Sequence, residues 1–271
     1  MSRGKLQLRA VVVDWAGTIV DHGSRAPVAA FQDIFRRRDV AVTTDEARGP
    51  MGMEKRDHIA TMLSVPRIAE SWRAVHGSAA TDSDIDALYH SFLPIQMELL
   101  SQHADVVPGA IEALAACRAR GLKIGSSSGY AAPLMEKLAG LAAVNGLAVD
   151  AVVSASEVPA GRPAPWMIFR NLQLLDVWPP AAVVIVDDTT VGIEAGLNAG
   201  AWTVGVVETG NMLGVSADEL ARLAPDERER QLEAGRRTML DAGVHFVIAS
   251  IAEILPVLDE INVRLAAGER P

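Results

Sequence analysis

The sequence predicts an α/β fold: a Rossmann-like parallel sheet with an inserted helical domain. Short apolar runs of strand length recur between longer helical patterns, at residues 10–14, 122–126, 151–154, 183–187, 203–207 and 245–248. Runs that are apolar on both faces and alternate with helices are typical of a parallel sheet covered on both sides. Ligands of such sheets bind beyond the carboxyl ends of the strands. We therefore look for function at those ends.

The helical patterns follow the 3.6-residue period of apolar side chains. One predicted face is shared by Val28, Phe31, Ile34 and Phe35. Residues 24–103 carry several such patterns and no convincing strand, so we expect them to form a helical cap domain between the first two strands. Residues 1–23 and 104–271 would then form the α/β core domain.

Composition excludes several classes of function. The 271 residues are 49% hydrophobic and carry a formal net charge of -9 at pH 7, which argues against binding to nucleic acids or anionic membranes. Cys117 is the only cysteine, so no intrachain disulfide forms, and this suits a reducing cytoplasm. We find neither a signal peptide nor an apolar run long enough to span a membrane. The sequence predicts a cytoplasmic protein.

Asp14 ends the first apolar run and enters a turn that contains Gly17. A carboxylate in this position can attack phosphorus if it is ionised, if the phosphoryl charge is screened and if the geometry is in line. It can equally serve to cap the turn. This motif alone leaves both interpretations open.

A second strand ends in acid, at Asp187 and Asp188. Adjacent carboxylates repel each other unless a cation lies beside them, and Mg²⁺ prefers oxygen ligands. Asp14, the backbone carbonyl of Ala16 and one acid of the pair would complete such a site. The second acidic strand end therefore favours a magnesium site and a catalytic Asp14.

Two further segments suit a phosphoryl group. Residues 125–129, Gly-Ser-Ser-Ser-Gly, offer hydroxyl and N–H groups after a short strand, although such residues also form ordinary loops. Arg162 lies in a Pro- and Gly-containing loop and could bind phosphoryl charge, although a loop arginine is commonly solvated.

Asp14, the serine loop, a basic residue and a terminal acid, each after a successive strand, resemble the four-motif signature of the haloacid dehalogenase superfamily. The resemblance implies that fold and an aspartyl-phosphate intermediate. Phosphatases of the superfamily usually carry a second Asp two residues after the nucleophile, where it protonates the leaving alcohol. This chain has Ala16 there.

The cap offers a lysine in place of that acid. Residues 46–58 contain a Pro-Met-Gly turn followed by a predicted helix with Lys55 and His58 on one face, although a lysine there is most often solvated. Four segments together resemble the phosphonoacetaldehyde hydrolase (phosphonatase) family over nearly the whole chain: residues 14–18, 46–58, 159–166 and 198–206.

The resemblance implies a reaction and a set of roles. Lys55 forms a Schiff base with the substrate aldehyde, Asp14 attacks phosphorus, and the products are acetaldehyde and phosphate. The magnesium ligands would be Asp14, Ala16 and Asp188. The substrate-binding residues would be Met51, Gly52, His58, Ser127, Ser128 and Arg162. The family also implies a homodimer.

This chemistry explains the missing acid. Cleavage of a carbon–phosphorus bond leaves an electron pair on carbon, and protonation of an oxygen would not stabilise it. An iminium at Lys55 accepts those electrons as an enamine. Because only a neutral amine attacks a carbonyl, the pKa of Lys55 must lie well below the ordinary value of about 10.4.

Three departures from the family pattern remain. Ser24 stands where some members have Cys, and Ser127 and Ser128 replace Thr. The acid that some relatives carry four residues after the magnesium Asp is Gly192 here, whereas Asp187 occupies a position that can be Gly. Two alternatives stay open: a phosphatase acting on a small phosphate monoester, and a catalytically silent member that binds phosphorylated metabolites or a partner protein.

Overall fold

The computed structural model describes residues 6–271, which form one six-stranded sheet surrounded by helices. The strands are β1 (Ala10–Val13), β2 (Lys123–Ser128), β3 (Ala151–Ser154), β4 (Val183–Asp187), β5 (Trp202–Val206) and β6 (Phe246–Ile248). Between β1 and β2 lie α1 (Arg25–Arg36), α2 (Thr44–Arg48), α3 (Lys55–Ser64), α4 (Pro66–His76), α5 (Asp82–Leu99) and α6 (Ala110–Ala119). The remaining helices are α7 (Ala132–Val144), α8 (Trp166–Leu175), α9 (Thr190–Asn198), α10 (Ala217–Arg222), α11 (Pro225–Asp241) and α12 (Ile254–Ala267).

The sheet has the strand order β3-β2-β1-β4-β5-β6, and every neighbouring pair is parallel. This is the doubly wound order, so the predicted Rossmann-like α/β class is confirmed. The chain runs outward from β1 to β3, then crosses back to β4 on the other side of β1. The order therefore reverses between β1 and β4, and a crevice opens beyond their carboxyl ends.

Strands β1 and β4 are apolar on both faces because both faces are covered. Val11 and Val13 pack with Val184 and Val186 in one hydrophobic cluster. The alternate residues of the same strands, Ala10, Val12, Val183 and Ile185, pack in a second cluster on the other face. Val13 pairs with Val186 in the register, so the residues that follow the two strands are neighbours.

Helices α1 to α5 form the inserted helical cap and have a hydrophobic cluster of their own. The predicted face of α1 is buried in it, with Phe31, Phe35 and Phe92 among its largest side chains. The domain bounds at residues 24 and 103 stay a prediction. Residues 1–5, part of the stretch where the sequence predicts no signal peptide, lie outside the described residues.

Strand β2 extends two residues beyond its predicted end at Ser126, through Ser127 and Ser128, which the sequence prediction placed in a loop. Ser126 exchanges hydrogen bonds with the Asn171 side chain of α8, at 3.1 Å to its backbone N–H and 3.0 Å to its carbonyl. Its hydroxyl donates to the Ala151 carbonyl at 2.9 Å. These contacts satisfy the polar groups of Ser126 inside the sheet, and Ser127 and Ser128 continue the strand in register with Val153 and Ser154 of β3. Over residues 6–271, no helix combines the length and apolarity needed to cross a membrane.

Candidate active site

Three buried carboxylates meet at the carboxyl ends of β1 and β4. Each of Asp14, Asp187 and Asp188 contributes an oxygen, and these oxygens lie within 4.8 Å of one another. The parallel register explains the meeting, because the backbone N–H of Asp14 donates to the Val186 carbonyl at 2.9 Å. All three side chains are nearly inaccessible to solvent. The two acidic strand ends therefore form a single site.

Arg162 links this cluster from the loop that precedes α8. Its Nη2 lies 2.7 Å from Asp14 Oδ1, and its Nη1 lies 3.1 Å from Asp187 Oδ2. Nη2 also donates to Ser127, at 3.0 Å to the carbonyl and 2.9 Å to the hydroxyl. The guanidinium is buried, so its charge is balanced by the carboxylates and not by water. Arg162 is thus a fixed cation beside the candidate nucleophile.

Burial and crowding alter the carboxylate pKa values. The pKa of Asp14 is raised to about 7, because burial outweighs the opposing charge of Arg162 and Asp187 adds to the rise. Burial, with Asp14 and Asp187 beside it, holds the pKa of Asp188 well above its usual range. Because like charges raise one another's pKa, a cation at this point would favour the ionised forms.

The donor set fits a hard divalent cation. Asp188 Oδ2 accepts a hydrogen bond from the Asn211 backbone N–H at 2.7 Å. Its Oδ1 is buried and has no hydrogen-bond partner among residues 6–271. Ala16 lines the same cavity as Asp14 and Asp188. Carboxylate and carbonyl oxygens are the ligands that such cations prefer, so this cluster could bind a metal ion.

Lys55 begins helix α3 of the cap and reaches the same cavity. The Glu54 side chain caps this helix by accepting from the backbone N–H groups of Arg56 and Asp57. The Lys55 Nζ lies 5.6 Å from the centre of the Phe31 ring and 5.2 Å from that of Tyr130. Burial in this surrounding lowers the pKa of Lys55 to about 8, with Arg162 adding to the effect.

The cap is closed against the sheet. Gly52 adopts a φ of +94°, and a Cβ on it would lie 2.4 Å from Thr189 Oγ1, so a side chain here would hold the cap away from the core. Arg48 of the cap donates to the carbonyls of Gly23 and Gly214 and to Asn211 Oδ1, at 2.8 to 3.0 Å. The closed state is therefore stabilised by the hydrogen bonds of a half-buried arginine and by close backbone approach.

The cavity between cap and sheet has a volume of about 20 Å³. That is room for about one water molecule. A substrate with a phosphoryl group is larger, so its entry requires the cap to move. Arg48 and Gly52 lie on the surface that must separate.

Most of the predicted site residues line this cavity, and two do not. The lining includes Asp14, Ala16, Met51, Gly52, Lys55, Ser128, Arg162 and Asp188. Ser127 contacts the site through its hydrogen bonds to Arg162. His58 lies behind Phe31, stacked at 3.9 Å between ring centres, with Nε2 2.9 Å from the Ala47 carbonyl. Burial holds the pKa of His58 well below its usual range.

Sequence reasoning missed several residues of the site. Tyr130 and Phe31 flank the Lys55 amine, and Tyr130 could have been found because it directly follows the predicted phosphate-binding segment. Arg48 lies within residues 46–58, the cap segment that resembles the family, but we assigned it no role from the sequence. The backbone N–H of Asn211 donates to Asp188. Asn211 lies in a segment without a motif, so nothing in the sequence indicated its role.

The fold and the site define a hydrolase of the haloacid dehalogenase type. The model of the haloacid dehalogenase-like hydrolase family matches residues 8–200. Within that class, the chain belongs to the phosphonoacetaldehyde hydrolase family. A phosphonoacetaldehyde hydrolase of Paraburkholderia xenovorans is 43% identical over 97% of this chain and 99% of its own length. One of Pseudomonas aeruginosa is 45% identical over 97% of this chain and 96% of its own length.

Solved structures agree with this membership. The crystal structure of a phosphonoacetaldehyde hydrolase-like protein from Oleispira antarctica superposes with a TM-score of 0.96 at 39% identity, over 97% of this chain and 96% of that one. A β-phosphoglucomutase of Clostridium difficile shares the fold, with a TM-score of 0.66 at 16% identity over 96% of this chain and 100% of that one.

Proposed function

We propose that this protein hydrolyses the carbon–phosphorus bond of phosphonoacetaldehyde to acetaldehyde and phosphate, through a Schiff base at Lys55 and an aspartyl-phosphate at Asp14. The observation that carries the proposal is the buried Lys55 amine in the same cavity as Asp14, with a pKa lowered to about 8. The names of the relatives support the same substrate.

In the proposed reaction Lys55 acts first. Its neutral amine adds to the aldehyde carbon, and loss of water with uptake of one proton leaves an iminium whose carbon is bonded to the CH2 group that bears phosphorus. The Phe31 and Tyr130 rings exclude water from the amine and lie close enough to stabilise the cation that forms. When the carbon–phosphorus bond breaks, its electron pair enters the iminium and gives an enamine. Protonation at carbon then gives the imine of acetaldehyde, which water hydrolyses.

Asp14 acts on phosphorus. Its carboxylate attacks as the carbon–phosphorus bond breaks, and the aspartyl-phosphate is later hydrolysed by water. Arg162, 2.7 Å from Asp14, is in reach of the phosphoryl oxygens and would screen their charge. No acid at position 16 is needed, since the leaving group is an enamine carbon and not an alkoxide.

We propose that Mg²⁺ is the cofactor, with Asp14, the carbonyl of Ala16 and Asp188 as its protein ligands. Bound there, it would reduce the repulsion between the carboxylate and the phosphoryl group. Met51, Gly52 and Ser128 would contact substrate from the cavity wall. Ser127 would act by orienting Arg162, and His58 by supporting the Phe31 ring. These roles, the homodimer and the cytoplasmic location remain predictions.

Borohydride trapping tests the proposal. We expect phosphonoacetaldehyde, Mg²⁺ and the full chain to release phosphate and acetaldehyde in equal amounts, and borohydride to inactivate the protein only when substrate is present. The chain has four lysines, Lys5, Lys55, Lys123 and Lys137, so peptide mass mapping can assign the adduct. Reduction before bond cleavage leaves a phosphonoethyl group on the amine, and reduction after it leaves an ethyl group.

A phosphatase acting on small phosphate monoesters, the alternative function, would give opposite results in these two measurements. It would release phosphate from small phosphate monoesters faster than from phosphonoacetaldehyde, and it would carry no adduct at Lys55. Such a result would refute the Schiff-base reaction while leaving the role of Asp14 intact. A silent binding protein would release no phosphate from either compound.

The rate of trapping should rise with pH through about 8. Below that value Lys55 is mostly protonated and cannot attack the aldehyde, and the neutral fraction falls about tenfold for each unit of pH. A lysine of ordinary pKa would still be gaining reactivity near pH 10. The measurement is the initial yield of reduced adduct after brief incubation at each pH, with a common borohydride quench. A rise that continues without a bend to pH 10 would contradict the lowered pKa.

A further inference from the structure

Two glycines of the core domain face the cap loop of residues 51–54, which leads into α3. A Cβ on Gly129 would lie 2.5 Å from the carbonyl oxygen of Met53, and a Cβ on Gly161 would lie 2.9 Å from the Cβ of Glu54. Real Cβ atoms do not approach other atoms so closely. The cap loop therefore occupies the space that a side chain at either position would need.

Neither glycine is required by its own backbone. The φ angles of Gly129 and Gly161 lie outside the left-handed region that favours glycine, so an alanine would suit the backbone at both positions. Gly140 of α7 provides the contrast, because no atom of residues 6–271 beyond its own helix lies within 4 Å of a Cβ placed there. The missing side chains at 129 and 161 therefore serve the close approach of the cap and not a turn of the core.

Each of these glycines adjoins a predicted substrate-binding residue. Gly129 follows Ser128, and Gly161 precedes Arg162, so the cap loop lies against both segments that would hold the phosphoryl group. Lys55 comes directly after that loop, as the first residue of α3. In phosphonoacetaldehyde, only one CH2 group separates the aldehyde carbon from phosphorus. The amine and the phosphoryl group must therefore be held within a few bonds of each other.

We propose that Gly129 and Gly161 are positioning residues for Lys55, because their lack of side chains lets the cap loop come close enough to place the amine beside the bound phosphonate. This inference rests on the proposed function, since it assigns that amine to the reaction. The depth to which the cap loop approaches the core then sets the separation between the amine nitrogen and the phosphorus atom.

A side chain at either position should also change the surroundings of the amine. Burial is the largest cause of the lowered pKa of Lys55, about 8. Smaller contributions come from the surrounding charges, those of Asp14, Arg162, Glu54 and Asp188. A loop held away from the core by a methyl group would admit water to the amine, so the pKa of Lys55 should move up towards the ordinary value of a lysine.

NMR titration of the lysine side chains measures that pKa without substrate. The chain has four lysines, so protein with carbon-13 at Cε of lysine gives few resonances, and Lys55→Met assigns the resonance of interest. We expect the titration midpoint of Lys55 to lie about one pH unit higher in Gly129→Ala and Gly161→Ala than in the wild-type protein. Gly140→Ala is the matched control and should keep the wild-type midpoint. Wild-type midpoints in both variants of the cap-facing glycines would overturn the proposal.

Turnover should fall in the same variants while phosphate binding persists. Misplacing a reacting group by about 1 Å can cost about a hundredfold in rate, so we expect Gly161→Ala to lower kcat for phosphonoacetaldehyde about 10- to 100-fold. Inhibition by inorganic phosphate should change by less than about threefold, because the phosphoryl-binding side chains belong to the core and not to the displaced loop. A loss of phosphate inhibition as large as the loss of kcat would show that the alanine disturbs Arg162, and would contradict the positioning of Lys55.

Paired substitutions test the contact between positions 161 and 54. Glu54→Gly removes the Cβ that an alanine at 161 would meet, whereas Glu54→Ala retains it, and both remove the carboxylate that caps α3. We expect Gly161→Ala to raise the Lys55 midpoint in the Glu54→Ala background, and by less than half as much in the Glu54→Gly background. Equal shifts in the two backgrounds would refute the contact.

Failure of the proposed function would be seen separately. A wild-type protein that forms no borohydride adduct at Lys55 would refute the Schiff-base reaction. The NMR titration of the glycine variants and of the paired substitutions contains no substrate, so it tests the close approach of the cap loop whichever way the trapping experiment falls.

Discussion

Replacing Asp14 with Asn should abolish phosphate release, by about a thousandfold or more, while leaving imine formation intact. An amide cannot attack phosphorus, yet it keeps the shape of the carboxylate and one oxygen for Arg162 Nη2, 2.7 Å away in the wild-type protein. Lys55 lies on the cap and needs only the aldehyde to react. Borohydride should therefore trap the phosphonoethyl adduct alone in this variant, whereas the wild-type protein also yields the ethyl adduct.

Three comparisons test that result further. Asp14→Ala guards against slow conversion of Asn back to Asp and should behave in the same way, whereas the exposed control Asp241→Asn should release phosphate at the wild-type rate. Excess chelator applied to the wild-type protein should reproduce the variant: no phosphate, an accumulated phosphonoethyl adduct, and recovery when Mg²⁺ is added. Ethyl adduct formed at an undiminished rate by Asp14→Asn would show that the nucleophile is another group.

The sheet was predictable because its central strands are buried on both sides. β1 and β4 are continuously apolar, and each lies close to its predicted bounds. Ser127 and Ser128 were mistaken for a loop because the hydrogen-bond partner of Ser127, Arg162, is 35 residues away and nothing local reveals it. Polarity inside a strand is compatible with burial when such a partner exists, and a single sequence does not disclose partners of that kind.

The candidate site, like the sheet, could be predicted only in part from the sequence. The carboxyl ends of parallel strands share one edge, so the meeting of Asp14 with Asp187 and Asp188 follows from chain order alone. The contacts of Arg162 and the aromatic walls around Lys55 depend on how a loop and a separate helical unit pack on that edge. The sequence indicated that those side chains were important, but it could not indicate which atoms they contact.

Closure of the cap connects the two halves of the site. Lys55 and Arg48 belong to the cap, whereas Asp14 and Asp188 belong to the sheet, and the cavity of about 20 Å³ exists only between them. Opening would return the Lys55 amine to water and raise its pKa towards the ordinary value, since burial is the largest cause of the shift. The amine is therefore most reactive when the cap is closed, which is also the state in which Asp14 lines the same cavity.

Replacing Lys55 with Arg should remove phosphate release from phosphonoacetaldehyde, by about a thousandfold or more, and remove the borohydride adduct entirely. Arginine keeps the positive charge between Phe31 and Tyr130, so an electrostatic contribution to substrate binding survives. It does not form the iminium, and the electron pair of the carbon–phosphorus bond then has no acceptor. The measurements are phosphate release, acetaldehyde release and adduct mass.

Because the site is tightly packed, the longer arginine could disturb it, and Lys55→Met provides a second variant of similar length that suits an apolar surrounding. Lys123→Arg is the matched control, at an exposed lysine of β2 whose Nζ donates to the Leu175 carbonyl outside the cavity. Inhibition by inorganic phosphate should persist in Lys55→Met, which separates loss of chemistry from loss of the site. If either variant kept about a tenth of wild-type release, carbon–phosphorus cleavage would not depend on an imine at Lys55, and the absence of an acid at Ala16 would again lack an explanation.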